Sequence, residues 1–293
     1  MNRNKTLGEA LKEGKARLKG AGKENYAFEA EILLEKAAGY SRTALFLRRE
    51  EWLSAECVNT YEEMLNQRER GRPLQYILGE WEFMGLPFFV GEGVLIPRGD
   101  TEVLVETVLE KQKEQAETNP LQTVLDMGTG SGCIPVSLGK YGDFREILAL
   151  DISPKALEYA RKNAARNGVA VEFWESDLFA AFSQSRRGKL DAIVSNPPYI
   201  PQGEIAGLME EVREFEPHNA LDGGKDGLDF YRRIIKESQT WLRDGGWLFF
   251  EIGYHQGAAL LALLQENGFV QTQIRQDLAG LDRVALGQKP YGR

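Results

Sequence analysis

Along residues 1–71 the apolar positions recur at helical spacing, and no stretch alternates as a strand would. "LGEALKEGKARLKGAG" stops at a Gly-Ala-Gly, and "NYAFEAEILLEKAAGYS" sets Phe28, Ile32, Leu33 and Leu34 along one face before a second glycine stop. "SAECVNTYEEMLNQRERG" opens on Ser54 as an N-cap and closes at Gly71. The pattern predicts a small helical bundle. Over 72–98, short apolar and aromatic pieces are broken by Gly79, Gly85, Pro87, Gly91 and Gly93, as in a hairpin-like connector. Over 99–293, helical and strand periods alternate. A helix over "TEVLVETVLEKQKEQAE" precedes strands "TVLDM", "ILALD", "VEFWE", "LDAIVS" and "WLFFEI", with helices between them and two closing strands near 269–275 and 281–287. Alternation at these lengths predicts a mostly parallel sheet covered on both faces.

Composition narrows the class. No window approaches the roughly 18 uninterrupted apolar residues of a membrane span, and the polar first twenty residues show no secretory h-region. Cys57 and Cys133 are the two cysteines, which points to a reducing cytoplasm rather than a disulfide framework. The net charge of −8 leans away from nucleic acid as the main partner and towards something neutral or basic. His218 and His255 are the only histidines and neither sits in a metal-binding pattern, so no metal is expected.

Two motifs carry chemistry. In "VLDMGTGSGC", Asp126 ends a strand and Gly128, Gly130 and Gly132 make the turn into a helix, where small residues let the backbone approach a ligand. The next strand ends in Asp151, whose carboxylate can accept both ribose hydroxyl protons of an adenosine. "GTGSG" is neither the G-x-G-x-x-G dinucleotide pattern nor a P-loop, so a ligand without phosphates, such as S-adenosylmethionine, suits it. After the third strand, Asp177 is placed to meet an adenine amino group and Leu178 to cover the ring; capping the next short helix is the competing role for Asp177.

The second motif is "NPPY". Asn196 precedes a proline and is held extended, while Pro197 and Pro198 donate no hydrogen bonds. The Asn196 side-chain oxygen and a backbone carbonyl then form two fixed acceptors for one N–H₂ group, and Tyr199 can lie over a flat π-system. That arrangement suits methyl transfer to a planar primary amide or an aromatic amine. Tethering both N–H protons favours pyramidalisation as charge develops, and alignment supplies an entropic gain. No general base is needed, because the methylated nitrogen becomes strongly acidic.

The ordered set "GTGSG", Asp151 and "NPPY" resembles the class I, Rossmann-like methyltransferases that use S-adenosylmethionine on amino or amide nitrogens. With "RPLQYILGEWEF", "VLIPRGDTEVLV", "EVREFEPHNALDGGKDGLDFYRRII", "FEIGYHQG" and "DLAGLDRV", the chain from about residue 72 to 286 resembles the peptide chain release factor glutamine methyltransferases (the HemK/PrmC type). The resemblance implies a seven-stranded sheet and methylation of the glutamine amide nitrogen (N5) in the release factor Gly-Gly-Gln motif. It implies that Gly128, Thr129, Gly130, Ser131 and Gly132 line the methionine and ribose side, with Asp126 before them. Asp151, next to Ile152, would hold the ribose; Asp177 and Leu178 would flank the adenine, where relatives often carry an aromatic. Asn196 and the Pro197 carbonyl would hold the glutamine amide, with Pro198 stiffening the loop and Tyr199 packed on it. "IPRGDTE" has Gly99 where a proline is more usual, and keeps Arg98, Thr101 and Glu102. The helical segment would hold the rest of the substrate. Three rivals stand beside this: a glutamine methyltransferase of a ribosomal protein, an adenine or guanine N-methyltransferase of nucleic acid, and a nucleotide-binding regulatory module without catalysis.

Overall fold

In the computed structural model, which describes residues 5–292, the helix stops legible in the N-terminal stretch are all used. Thr6 opens α1 (Leu7–Gly20) with a capping box: its hydroxyl accepts the Glu9 amide while the Glu9 carboxylate accepts the Thr6 amide. Helix α2 (Tyr26–Ala38) ends on a left-handed Gly39, α3 (Arg42–Leu47) follows Ser41, and the Ser54 hydroxyl caps α4 (Ala55–Glu69). A one-turn α5 (Leu74–Leu78) opens the segment where the sequence predicts a hairpin-like connector. Leu7, Leu18, Leu33, Leu34 and Leu65 form the centre of this unit.

The expected inner face of α2 is corrected here. Phe28 is 44% exposed, and the buried face runs through Glu29, Ala30, Leu33 and Leu34. Glu29 goes inside because Arg68 of α4 meets it with two hydrogen bonds of 2.8 and 2.9 Å. A charge enters a core face when it is paired, and hydrophobic spacing alone reads such a residue as surface. Arg68 also pairs with Glu211 at 2.7 Å, within a segment (Met209–Phe215) that belongs to the same compact unit as the chain up to Gly79.

The second unit comprises Glu80–Leu208 and the chain from Glu216 onward. It opens with the connector's hairpin, β1 (Glu80–Phe83) and β2 (Leu86–Phe89). Then follow α6 (Asp100–Gln115), β3 (Thr123–Met127), α7 (Cys133–Tyr141), β4 (Glu146–Asp151), α8 (Pro154–Asn167), β5 (Glu172–Glu175) and β6 (Leu190–Ser195). After α9 (Glu210–Phe215) come α10 (Asp229–Trp241), β7 (Leu242–Glu251), α11 (Gly257–Glu266), β8 (Val270–Gln276) and β9 (Asp282–Gln288).

Seven strands form one sheet in the order β5-β4-β3-β6-β7-β9-β8; the first five are parallel and β9 lies antiparallel between β7 and β8. Alternation along the strands splits the core in two. Val124, Val194, Trp247 and Phe249 join one cluster with Leu104 and Ile134, while Leu125, Ile193, Leu248 and Phe250 join the other with Tyr231 and Leu260. Burial on both faces is why "LDAIVS" reads as nearly unbroken apolar sequence. Strand β7 begins earlier than its apolar run, because Arg243 in its polar start pairs with Asp191 of β6. The chain order reverses between β3 and β6, where doubly wound sheets open a crevice at their carboxyl edge. Among the described residues no helix is long and apolar enough to cross a membrane.

Candidate active site

A cavity of about 320 Å³ occupies that crevice, floored by Met127 and Ser195 at the ends of β3 and β6. Gly128, Gly130 and Gly132 all have positive φ, at 74°, 54° and 80°. They do different work. A Cβ on Gly128 or Gly130 would meet no protein atom within 4 Å, and both residues line the cavity. A Cβ on Gly132 would lie 3.0 Å from the Ala160 Cα, so this glycine lets the turn pack on α8. Thr129 and Ser131 are buried beneath the turn. The turn is braced from below by fully buried Asn163, whose Nδ2 donates to the Ser131 carbonyl at 2.8 Å and to the Phe89 carbonyl at 3.0 Å.

Asp151 lines the cavity with Ile152. Its Oδ2 accepts the Gly130 amide and its Oδ1 the Ser153 amide, each at 2.8 Å. Burial raises its pKa, and those amides work against the rise. Asp126 is fully buried at the end of β3. Neither of its carboxyl oxygens has a hydrogen-bond partner, and the neighbouring Thr129 hydroxyl lacks one as well. Burial, opposed by the adjacent Thr129 hydroxyl and helped by the Asp151 charge, pushes Asp126 up to about 7.

Asp177 and Leu178 line the cavity after β5. The Asp177 carboxylate accepts from Arg233 of α10 at 3.0 and 3.1 Å and does not cap a helix. Phe230, Arg233 and Ile234 of α10, with Asn219 and Ala220 before it, also line the cavity. No local motif in the sequence singles these out, although all lie in the long segment that carries the family resemblance.

Asn196, Pro197 and Pro198 line the same cavity beside the glycine turn, because Met127 and Ser195 are paired on adjacent strands. The Asn196 Nδ2 donates to the Thr101 hydroxyl at 3.2 Å. Tyr199 stands apart: it does not line the cavity, and its ring packs on the apolar cluster that includes Tyr231 and Phe250. Burial pushes its phenol well above the usual range. Gln256 donates to the Tyr199 carbonyl at 3.1 Å, so the loop end is clamped by the chain beyond β7. "IPRGDTE" is a brace for these loops: Arg98 pairs with buried Glu216, Thr101 meets Asn196, and Glu102 accepts the Met84 amide at 2.8 Å.

One buried carboxyl here escapes sequence reasoning. Glu251, the last residue of β7, is 1% exposed, and burial pushes it up to about 7 against the pull of Thr101, Arg283 and Asn196. The arrangement as a whole puts a proline-stiffened loop with carbonyl acceptors beside a glycine turn with an acidic neighbour. It can hold a nucleoside on one side and a planar N–H₂ group on the other.

Residues 9–79 match the family model described as PrmC N-terminal domain, and residues 99–212 the one described as Methyltransferase small domain. The release factor glutamine methyltransferase of Geobacter sulfurreducens is 42% identical over 267 residues, 91% of each chain. That of Moorella thermoacetica is 43% identical over 289 residues, covering 97% of this chain and 99% of its own. A solved methyltransferase from Pyrococcus furiosus matches at a TM-score of 0.53 and 17% identity, over 71% of this chain and 91% of that one, a likeness of fold alone. Identity at this level along nearly the whole length means that the chain belongs to the release factor glutamine methyltransferase family.

Proposed function

We propose that this protein transfers the methyl group of S-adenosylmethionine to the side-chain amide nitrogen (N5) of the glutamine in the release factor Gly-Gly-Gln motif. The product cofactor is S-adenosylhomocysteine, the setting is the cytoplasm, and the consequence is modulated translation termination. The observation that carries this is the shared cavity: Asn196, Pro197 and Pro198 line it together with Gly128, Gly130 and Asp151, and the pairing of Met127 with Ser195 brings Gly128 and Asn196 out side by side.

The residues present fit the cofactor. Open space above Gly128 and Gly130 admits its backbone-hugging portion, and Asp126 offers an unpartnered carboxyl for a positive group. When bound, the cofactor supplies an electrophilic sulfonium methyl. Gly128 and Gly130 would line its methionine and ribose side, Asp151 would accept hydrogen bonds from the ribose hydroxyls, and Leu178 would flank the adenine. Phe230, on the cavity wall, adds the aromatic face that Leu178 lacks.

On the substrate side, the Asn196 Oδ1 and the Pro197 carbonyl accept the two N–H protons of the glutamine amide. This pins the nitrogen and draws its lone pair out of conjugation. Pro198 keeps the loop rigid, and Tyr199 anchors its far end in the apolar core. The excess proton on the methylated nitrogen leaves to solvent without a dedicated base. The helical unit holds the rest of the release factor, and the net charge of −8 suits a substrate with basic surfaces. No membrane, metal or direct nucleic-acid partner enters this reading.

The test is incubation with labelled S-adenosylmethionine, a release factor and its Gly-Gly-Gln to Gly-Gly-Glu variant. Label on the release factor and none on the variant is expected. Equal labelling of the variant, or label on nucleic acid alone, would overturn the assignment.

A further inference from the structure

Parallel pairing sets Ser195 of β6 opposite Phe250 of β7, so the next residues, Asn196 just past β6 and Glu251 at the end of β7, are neighbours. The Glu251 side chain is buried and its Oε2 has no hydrogen-bond partner. A buried carboxyl in that state is expensive to keep, and an apolar side chain of like size would be easier to fold around. The surroundings show what it faces. Thr101 and Asn196 turn their polar ends to it, Arg283 attracts it, and Asp100 repels it. Arg283 is itself anchored by Asp277 at 3.0 Å and Asp100 at 3.1 Å. The phenols of Tyr199 and Tyr231 and the Cys133 thiol complete the group, all neutral, raised first by burial and further by the Glu251 charge.

A carboxamide has one donor end and one acceptor end. The Asn196 Nδ2 already donates to Thr101 at 3.2 Å, and a carboxylate on that same side welcomes a donor and repels Oδ1. We propose that Glu251 is a positioning residue, holding the Asn196 carboxamide in the one orientation that turns Oδ1 to the cavity and to the substrate amide. This rests on Asn196 being the amide acceptor described above. Protonated Glu251 becomes a donor and accommodates a flipped Oδ1, so the orientation is lost on acidification. Burial puts that change close to neutrality, at about pH 7.

The test compares wild type with Glu251→Gln, Thr101→Val and Thr101→Ser as full chains on an intact release factor. The readouts are kcat at saturating cofactor as a function of pH, and cofactor Kd by calorimetry. Glu251→Gln should lower kcat at least tenfold, leave Kd within about twofold, and flatten the acid limb that wild type shows near pH 7. Thr101→Val should lose kcat in the same way and Thr101→Ser should keep it. Glu251→Gln with wild-type kcat and an unchanged acid limb would overturn the positioning role, as would equal losses in kcat and cofactor affinity. Should Glu251→Gln fail to fold, the threonine pair decides: Val impaired and Ser active supports the role, both active overturns it. Wild type that never labels a release factor sinks the functional assignment and this role together. Wild type that labels normally leaves the variants to decide the role of Glu251 alone.

Discussion

Arg233 of α10 donates to both carboxylate oxygens of Asp177, at 3.0 and 3.1 Å, on the wall of the cavity at the sheet's carboxyl edge. Sequence position alone makes Asp177 a free acceptor for an adenine amino group; in the structure it already holds a cation. Both side chains are close to half exposed, so the pair contributes no more than about 1 kcal/mol and is easily rearranged. Arg233→Ala should therefore change cofactor Kd by less than about threefold and leave thermal unfolding nearly unmoved. Asp177→Ala should weaken cofactor binding at least about tenfold, the worth of one hydrogen bond to a charged acceptor. Calorimetry on the two variants separates the roles. A larger loss from Arg233→Ala would mean that the guanidinium, not the carboxylate, meets the ligand.

Asn196→Ala removes the side-chain acceptor of the amide clamp and leaves the proline-stiffened backbone in place. Turnover should fall at least 100-fold, a loss of about 2.7 kcal/mol in transition-state stabilisation. Cofactor affinity should stay within about threefold. Comparable losses in both would show that Asn196 serves the cofactor first.

The glycines of the turn should part company under substitution. Gly130→Ala and Gly132→Ala each force a residue with a side chain into left-handed backbone, at roughly 1–2 kcal/mol. The Gly130 Cβ would project into the open cavity, so its further effect is on cofactor affinity, which should weaken about tenfold or more. The Gly132 Cβ would press on Ala160 of α8 at 3.0 Å, so its further effect is on folding. Thermal melts and cofactor titrations of both variants should show the two losses on opposite assays.

What is legible in the sequence is local. The strand ends, the glycine turn and "NPPY" are each written within a few adjacent residues, and doubly wound topology then places them at one edge. What is not legible depends on partners far along the chain. Arg233 lies 56 residues beyond Asp177, and nothing within "ESDLF" announces it. Glu251 reads as the ordinary end of a strand, and only the pairing of β6 with β7 brings it to Asn196. Helical spacing assigns Glu29 to solvent because its partner, Arg68, sits on another helix. The place of Tyr199 in its motif suggests a lid over the substrate; its ring instead packs on the core.

In the helical unit, Arg68→Ala would strand the Glu29 carboxylate in a site where both side chains are less than a tenth exposed. The expected loss is about 3–5 kcal/mol, because an uncompensated buried charge remains. Replacing both partners with leucine should recover most of it, since the desolvation disappears along with the attraction. Urea unfolding followed by circular dichroism checks this. A single variant as stable as wild type would mean that solvent reaches Glu29 freely.

Asp126 gives the cofactor-free protein a pH signature that bound cofactor should cancel. Its folded pKa, about 7, lies far above the ordinary carboxylate value of 3.8, because burial penalises the charged form. The folded chain thus binds this proton more tightly than the unfolded chain does. Its stabilising contribution is complete below about pH 4 and is lost as pH rises through 7; Glu251, also raised to about 7, acts in the same direction. The cofactor-free protein should therefore melt roughly 5 °C lower at pH 8 than at pH 5.5. A cationic group brought by the cofactor favours ionised Asp126, so affinity should rise about tenfold per pH unit up to 7 and then level off. Bound cofactor should correspondingly cancel the Asp126 part of that slope and leave the shallower fall due to Glu251. In Asp126→Asn the carboxyl is gone: cofactor affinity should be at least tenfold weaker at pH 8 and nearly flat with pH. Calorimetry from pH 5.5 to 8 reads both, and a wild-type Kd that does not vary over that range would remove Asp126 from the cofactor site.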